Sequence, residues 1–275
     1  MSGDLTELEY AYFCKKILQL TGLDLSSYKE EQTRRRLRTI MMRFKVTNYI
    51  ALIRLLEQNP QARQEFRDYY TINVSEFFRD PEFFDELRQT WLPRIIKQRQ
   101  DTTVRIWSAG CSIGPEPYSL AMLLEYYFPG QPYQILATDI DRTSLEHAKR
   151  GGPYPEAYFN RLPVQLQERF FIKKEDGFYV EPKLQTWINF RLHDLQTGIF
   201  GQRYDLVVCR NVIIYFTQEA KKTLYPNLAL SLRPGGILFL GGAEFVNQPE
   251  QYGLRNLGGP FYTSTQQTGP LRLRS

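Results

Sequence analysis

The 275-residue sequence predicts an α/β protein, a doubly wound parallel sheet with a small antiparallel β insertion, preceded by an all-helical N-terminal domain. Three observations predict it. The first 70 or so residues space their apolar positions by three and four, as in "YAYFCKKILQL" and "YIALIRLLEQN", without strand-like alternation. Beyond them, "VRIW" from 104, "QILATD" from 134, "YDLVVCR" from 204 and "GILFL" from 236 are short β-rich runs separated by helical stretches, the rhythm of a parallel sheet with helices on both faces. Residues 169–192, "RFFIKKEDGFYVEPKLQTWINFRL", are dense in aromatic and β-branched types, and Asp176-Gly177 between two such runs is a hairpin signal. The expected divisions are therefore a helical domain over 1–70 and an α/β domain over 71–275, with 169–192 as an inserted β subdomain. The tail after Gly258 is expected to fray beyond its first few residues.

Composition bounds the function classes. No apolar run approaches the ~20 residues of a membrane-spanning helix, and "MSGDLTELEY" lacks the basic start and apolar stretch of a signal peptide, so a cytoplasmic protein without membrane insertion is expected. Cys14, Cys111 and Cys209 are odd in number, far apart and without CxxC spacing, which indicates neither a disulfide framework nor a metal site. The net charge of +5 is local: between Tyr28 and Arg54 eight basic residues face only Glu30 and Glu31, and the remainder of the chain sums to about −1. Such clustering suggests a docking surface for an acidic partner.

The first strand, "VRIW", leads into "SAGCSIG" and then a helix expected near Pro115 to Pro117, with Leu120, Ala121, Leu123, Leu124 and Tyr127 as its apolar face. Gly110 and Gly114 allow a close backbone approach, as at a nucleotide-binding turn. "AGCSIG" is nevertheless not GxGxxG, and Glu116 stands where a pyrophosphate would meet the positive end of the helix. A carboxylate there repels phosphate and attracts a cation. S-adenosylmethionine, with its sulfonium and ammonium groups, fits; NAD and ATP do not. At the end of the second strand, "ATDID" sets Asp139 25 residues after Gly114, where a carboxylate can accept hydrogen bonds from ribose hydroxyls.

Four stretches in order, "TINVSEFFRD", "WSAGCSIGPEPYSLAM", "ATDID" and "CRNVIIYF", together with "YKEEQTRRRLR" nearer the start, resemble the chemotaxis receptor glutamate methyltransferases of the CheR family over nearly the whole chain. The resemblance implies a Rossmann-like S-adenosylmethionine-dependent methyltransferase domain with a small inserted antiparallel β subdomain, behind an N-terminal helical domain that docks on the receptor. It implies cofactor contacts at Asn73, Ser75, Arg79, Glu116, Asp139, Asp194, Leu195, Arg210 and Asn211, and catalytic positioning by Arg79 and Tyr215. Arg34, Arg35, Arg36 and Arg38 would face the acidic methylation region of the chemoreceptor's cytoplasmic helices, and no nucleic acid is expected. Pro115 departs from the usual acid at its position, while Glu116 keeps the one beside the following proline. In some members the β insertion grips a pentapeptide tether of the receptor; the short "KKEDG" turn here favours tether-independent recognition.

The implied chemistry suits the residue inventory. A glutamate substrate, with pKa near ~4.3, is already ionised at neutral pH, so no general base is required. Only His147 and His193 occur, neither beside a nucleophile motif, and His193 reads as structural. Alignment of carboxylate, methyl and sulfonium can lower the barrier by up to roughly 7–11 kcal/mol. Two rivals stay open at this point: a methyltransferase for a small molecule or nucleic acid, and a cofactor-binding module without catalysis. Taken singly, Arg79 also reads as an ion-pair partner of Glu76 or Asp80, Tyr215 as a core aromatic, and the arginine run as a solvated helix face.

Overall fold

The computed structural model describes residues 6–70, 75–99, 102–197, 201 and 203–265. Its contacts divide the chain into two units, one comprising the residues up to 72 with Tyr215–Lys221, the other Asn73–Ile214 with the residues from Lys222 onward.

The first unit is built on α1 (Glu7–Thr21), α2 (Glu30–Arg43), α3 (Tyr49–Gln58) and α4 (Pro60–Tyr70). Thr6 and Glu9 form a reciprocal cap at the start of α1, the Thr6 amide donating to Glu9 Oε2 at 2.8 Å, and Gly22 ends it at φ 76°. Phe13, Ile17, Leu37, Leu52, Leu56 and Phe66 are buried in its core. A late stretch of chain completes this unit. Phe216 stacks on Tyr28 with ring centroids 5.1 Å apart, and the Lys29 amide donates to the Tyr215 carbonyl at 2.9 Å.

The second unit opens with α5 (Pro81–Glu86), a π turn over Leu87–Trp91, and α6 (Leu92–Arg99). The π turn precedes Pro93, which has no amide to give, and the Leu92 amide reaches back to the Leu87 carbonyl. There follow β1 (Val104–Ala109), α7 (Pro115–Tyr127), β2 (Tyr133–Asp139), α8 (Arg142–Arg150), α9 (Val164–Phe170), β3 (Phe171–Lys174), β4 (Gly177–Val180), α10 (Pro182–Gln185), β5 (Ile188–Leu192), β6 (Tyr204–Cys209), α11 (Gln218–Ser231), β7 (Leu232–Leu240), β8 (Leu254–Gly258) and β9 (Phe261–Ser264). The main sheet has seven strands in the order β5-β2-β1-β6-β7-β9-β8. The first five run parallel; β9 lies antiparallel to β7 and β8. Strand order reverses between β1 and β6, so their connections leave in opposite directions and open a crevice at the carboxyl ends of the strands.

Three elements differ from the sequence expectation. The antiparallel excursion is only the hairpin β3–β4, paired from Phe171↔Val180 to Lys174↔Gly177, whereas Ile188–Leu192 joins the main sheet parallel to β2. Short aromatic and β-branched runs look alike whether they pair with a neighbouring hairpin arm or with a distant strand edge. Phe261–Ser264, in the tail expected to fray beyond its first few residues, is a buried strand, while residues 266–275 lie outside the described residues. Helix α7 is buried on nearly its whole circumference, Pro117 to Leu124 without a break, so its predicted apolar face was drawn too narrow. Among the described residues no helix is long and apolar enough to cross a membrane.

Candidate active site

The turn between β1 and α7 takes left-handed backbone at Gly110 (φ 85°), Ser112 (φ 50°) and Gly114 (φ 104°). At Gly110 a Cβ would also stand 2.5 Å from Val212 Cγ2, so only glycine fits without rearrangement. The amides of Gly110 and Cys111 both donate to the Thr138 carbonyl, at 2.8 and 2.9 Å, which ties the turn to the end of β2. Cys111, like Cys14 and Cys209, is a buried free thiol, and burial pushes its ionisation well up.

Two carboxylates project from this turn and its neighbour. Glu116, in the first turn of α7, accepts from Ser108 Oγ at 2.7 Å. Lost hydration, with a smaller contribution from the Glu244 carboxylate, raises its pKa to about 7, against the opposing pull of Arg210, the Ser108 hydrogen bond and Arg79. Asp139, ending β2, accepts from the Ser112 amide through Oδ2 at 2.7 Å and from the Asp141 amide through Oδ1 at 2.9 Å. Lost hydration again dominates and lifts its pKa to about 6 despite those donors. Each oxygen keeps a second lone pair, and both residues remain partly exposed. Reluctantly ionised carboxylates in a crevice favour a ligand that brings positive charge and hydroxyl donors.

Acceptors of this kind suit the ammonium and hydroxyl groups of S-adenosylmethionine, and the chain-wide comparison gives the family. Residues 73–259 match the CheR methyltransferase, SAM binding domain, and residues 8–71 match the CheR methyltransferase, all-alpha domain. The chain belongs to the CheR methyltransferase family. A chemotaxis protein methyltransferase of Listeria monocytogenes is 40% identical over 259 residues, covering 94% of this chain and 98% of that protein. Chemotaxis protein methyltransferase 1 of Pseudomonas aeruginosa is 35% identical over 242 residues, covering 84% and 88%. This CheR family member is an S-adenosylmethionine-dependent methyltransferase.

The remaining CheR motif residues fall as follows. Asp194 and Leu195 come beside Asp139 because the His193 amide donates to the Asp139 carbonyl at 2.9 Å; Asp194 then accepts from Gln196, and Leu195 is buried. Arg210, at the end of β6, is buried between the Phe84 and Phe239 rings and donates to the Arg79 carbonyl and to Asp80 Oδ2, each at 2.8 Å. Its guanidinium therefore grips the "FFRD" loop directly, and burial draws its pKa down while Glu116 and Asp80 oppose that. Asp80 pairs with Arg210 at 2.8 Å, and Glu76 pairs with Arg161 at 3.1 Å. The loop is fixed from a second side by Ser119, whose Oγ accepts from the Phe78 amide at 3.0 Å. Ser75 is partly exposed at the start of this loop, and Asn73 lies outside the described residues. Asn211 holds left-handed backbone at φ 58° and donates its amide to Glu244 Oε2 at 2.8 Å. Tyr215 groups with the helical unit. Ser119 and Glu244 escaped sequence reasoning: each makes hydrogen bonds across 30 or more residues of chain, and neither belongs to a periodic pattern.

The four arginines of the "TRRRLR" run on α2 divide in two. Arg34 pairs with Glu30 at 2.7 Å and lies over the Tyr10 ring, and Arg36 lies over Tyr69 and Tyr70 and donates to the Tyr69 carbonyl. Arg35 and Arg38 are exposed. Arg34 and Arg36 are partly exposed, their side chains packed on rings of neighbouring helices, which helical spacing alone does not report.

Proposed function

We propose that the chain transfers a methyl group from S-adenosylmethionine to glutamate side chains on the cytoplasmic helices of chemoreceptors, giving methyl esters and S-adenosylhomocysteine. The observation that carries the reading is the pair Glu116 and Asp139, two partly exposed carboxylates with reduced hydration at the carboxyl ends of a family-matched sheet. Support for the acceptor is the kinship with chemotaxis protein methyltransferases and the exposed cations Arg35 and Arg38 on α2, which suit an acidic helical partner. The tight β3–β4 turn supports recognition without a peptide tether.

When bound, S-adenosylmethionine supplies an electrophilic methyl group on a positive sulfur. Glu116 and Asp139 would hold it, and the family resemblance adds Asn73, Ser75, Arg79, Asp194, Leu195, Arg210 and Asn211 as its further contacts. The attacking oxygen belongs to the substrate glutamate, ionised at neutral pH, so no proton has to be removed by the chain. Arg79 and Tyr215 orient that carboxylate, and exclusion of water raises the energy of two opposite charges that vanish as the methyl moves. The test is transfer of a labelled methyl to a purified receptor cytoplasmic fragment, followed by alkaline release of methanol. Base-labile label on the receptor is the expected result. Cofactor binding without labelled receptor would move the acceptor to another class.

A further inference from the structure

Glu244 lies in the loop after β7 and is 5% exposed, yet it belongs to none of the stretches that carry the family resemblance. Its carboxylate accepts three backbone amides, those of Asn211 at 2.8 Å and Gly241 at 2.7 Å through Oε2, and that of Ile214 at 3.0 Å through Oε1. One side chain therefore joins the loops that follow β6 and β7. The approach is close enough that a Cβ at Gly241 would stand 2.7 Å from Glu244 Oε2 and 2.9 Å from the Asn211 nitrogen. Asn211 itself sits at φ 58°, a left-handed conformation that asparagine adopts more readily than most non-glycine residues. A buried carboxylate with three donors and a nearby guanidinium is well satisfied, which makes it a rigid anchor.

We propose that Glu244 is a positioning residue for methyl transfer, whose carboxylate clamps the backbone of residues 211–214 and so fixes Asn211 and Arg210 in the cofactor site. The inference rests on the reading that Arg210 and Asn211 serve that site. Charge adds a second consequence. After lost hydration, Glu244 is the other influence that raises the Glu116 pKa, against Arg210, the Ser108 hydrogen bond and Arg79. Cys209 and Tyr225, which also face Glu244, are themselves pushed up by it and by burial, and stay neutral near pH 7.

The test uses the full chain, with S-adenosylhomocysteine as the calorimetric probe from pH 5.5 to 8.5. In Glu244→Gln an amide oxygen can keep the Asn211 and Gly241 bonds, but an NH2 group then meets the Ile214 amide and the negative charge is gone. Affinity is expected to fall about tenfold, and the pH midpoint for binding is expected to move down, since Glu116 ionises more readily beside a neutral neighbour. Glu244→Asp keeps the charge but draws it back by one methylene. It is expected to lose affinity with the midpoint unmoved, and it serves if the glutamine variant does not fold. An unmoved midpoint in Glu244→Gln, whatever its melting temperature, or wild-type affinity in Glu244→Asp, overturns the proposal. Because the probe needs no receptor, failure of the wild type to methylate receptor would count against the proposed acceptor and leave this result standing.

Discussion

Glu116 and Asp139 ionise near pH 7 and 6, so a proton and a cationic ligand compete for the same oxygens. Both pKa values are raised above their ordinary 4.5 and 3.8, so these groups favour the ligand-free fold at low pH. That contribution is lost as pH rises through about 4.5–7 for Glu116 and about 3.8–6 for Asp139. Ligand affinity runs the other way, weakening by up to about tenfold for each unit below pH 7 by single-proton linkage. Melting curves with saturating S-adenosylhomocysteine should accordingly show a larger upward shift at pH 8 than at pH 5.5; equal shifts would remove these carboxylates from the site. In Asp139→Ala, calorimetry should detect no cofactor binding, and retained wild-type affinity would sink the assignment. Gly110→Ala combines a strained φ with overlap on Val212 and should destabilise the protein by on the order of 1–3 kcal/mol, read by denaturant titration. Glu116 and Asp139 were legible because they sit at fixed distances from a strand end and a helix start, where backbone geometry leaves little choice. Glu244 and Ser119 were not, since their partners are main-chain amides far along the chain, and an amide carries no sequence signature.

At the scale of elements, α2 shows where one-dimensional reading stops. The arginine run was legible as a basic helix, but the stacking of Arg34 on Tyr10 and of Arg36 on Tyr69 and Tyr70 depends on α1 and the end of α4. The two kinds of arginine should separate by experiment. Charge reversal at Arg35 and Arg38 should weaken binding to an acidic receptor fragment, more strongly at low salt, and spare cofactor affinity. Arg36→Ala should instead lower the stability of the helical unit by about 1–3 kcal/mol through lost ring contact and an unanswered carbonyl, measurable by thermal melting. If Arg36→Ala melted like the wild type while receptor binding fell, Arg36 would rejoin the docking surface.

For the whole molecule, the parallel core was legible and its far edge was not. Strands β1, β2, β6 and β7 announce themselves as apolar runs between helices, and the site follows from where their order reverses. The hairpin β8–β9 has no such frame, and "LRNLG" with its exposed polar side chains reads as loop until β9 is known to lie beside it. Phe261 on β9 is fully buried, its ring 4.6 Å from Phe239 and 5.5 Å from Trp91. Phe261→Ala should cost about 3–5 kcal/mol, and a chemical-denaturation midpoint near wild type would show that the edge is dispensable.

The place of β9 between β7 and β8 also has a meaning for synthesis. A growing chain that has released β8 cannot yet attach it, since the strand that joins it to the sheet is made afterwards. The sheet edge is therefore completed only once Ser264 has left the ribosome, and a chain stopped short of Phe261 loses two strands, not a few terminal residues. The last two strands of the sheet are therefore placed in the reverse of the order in which they are made.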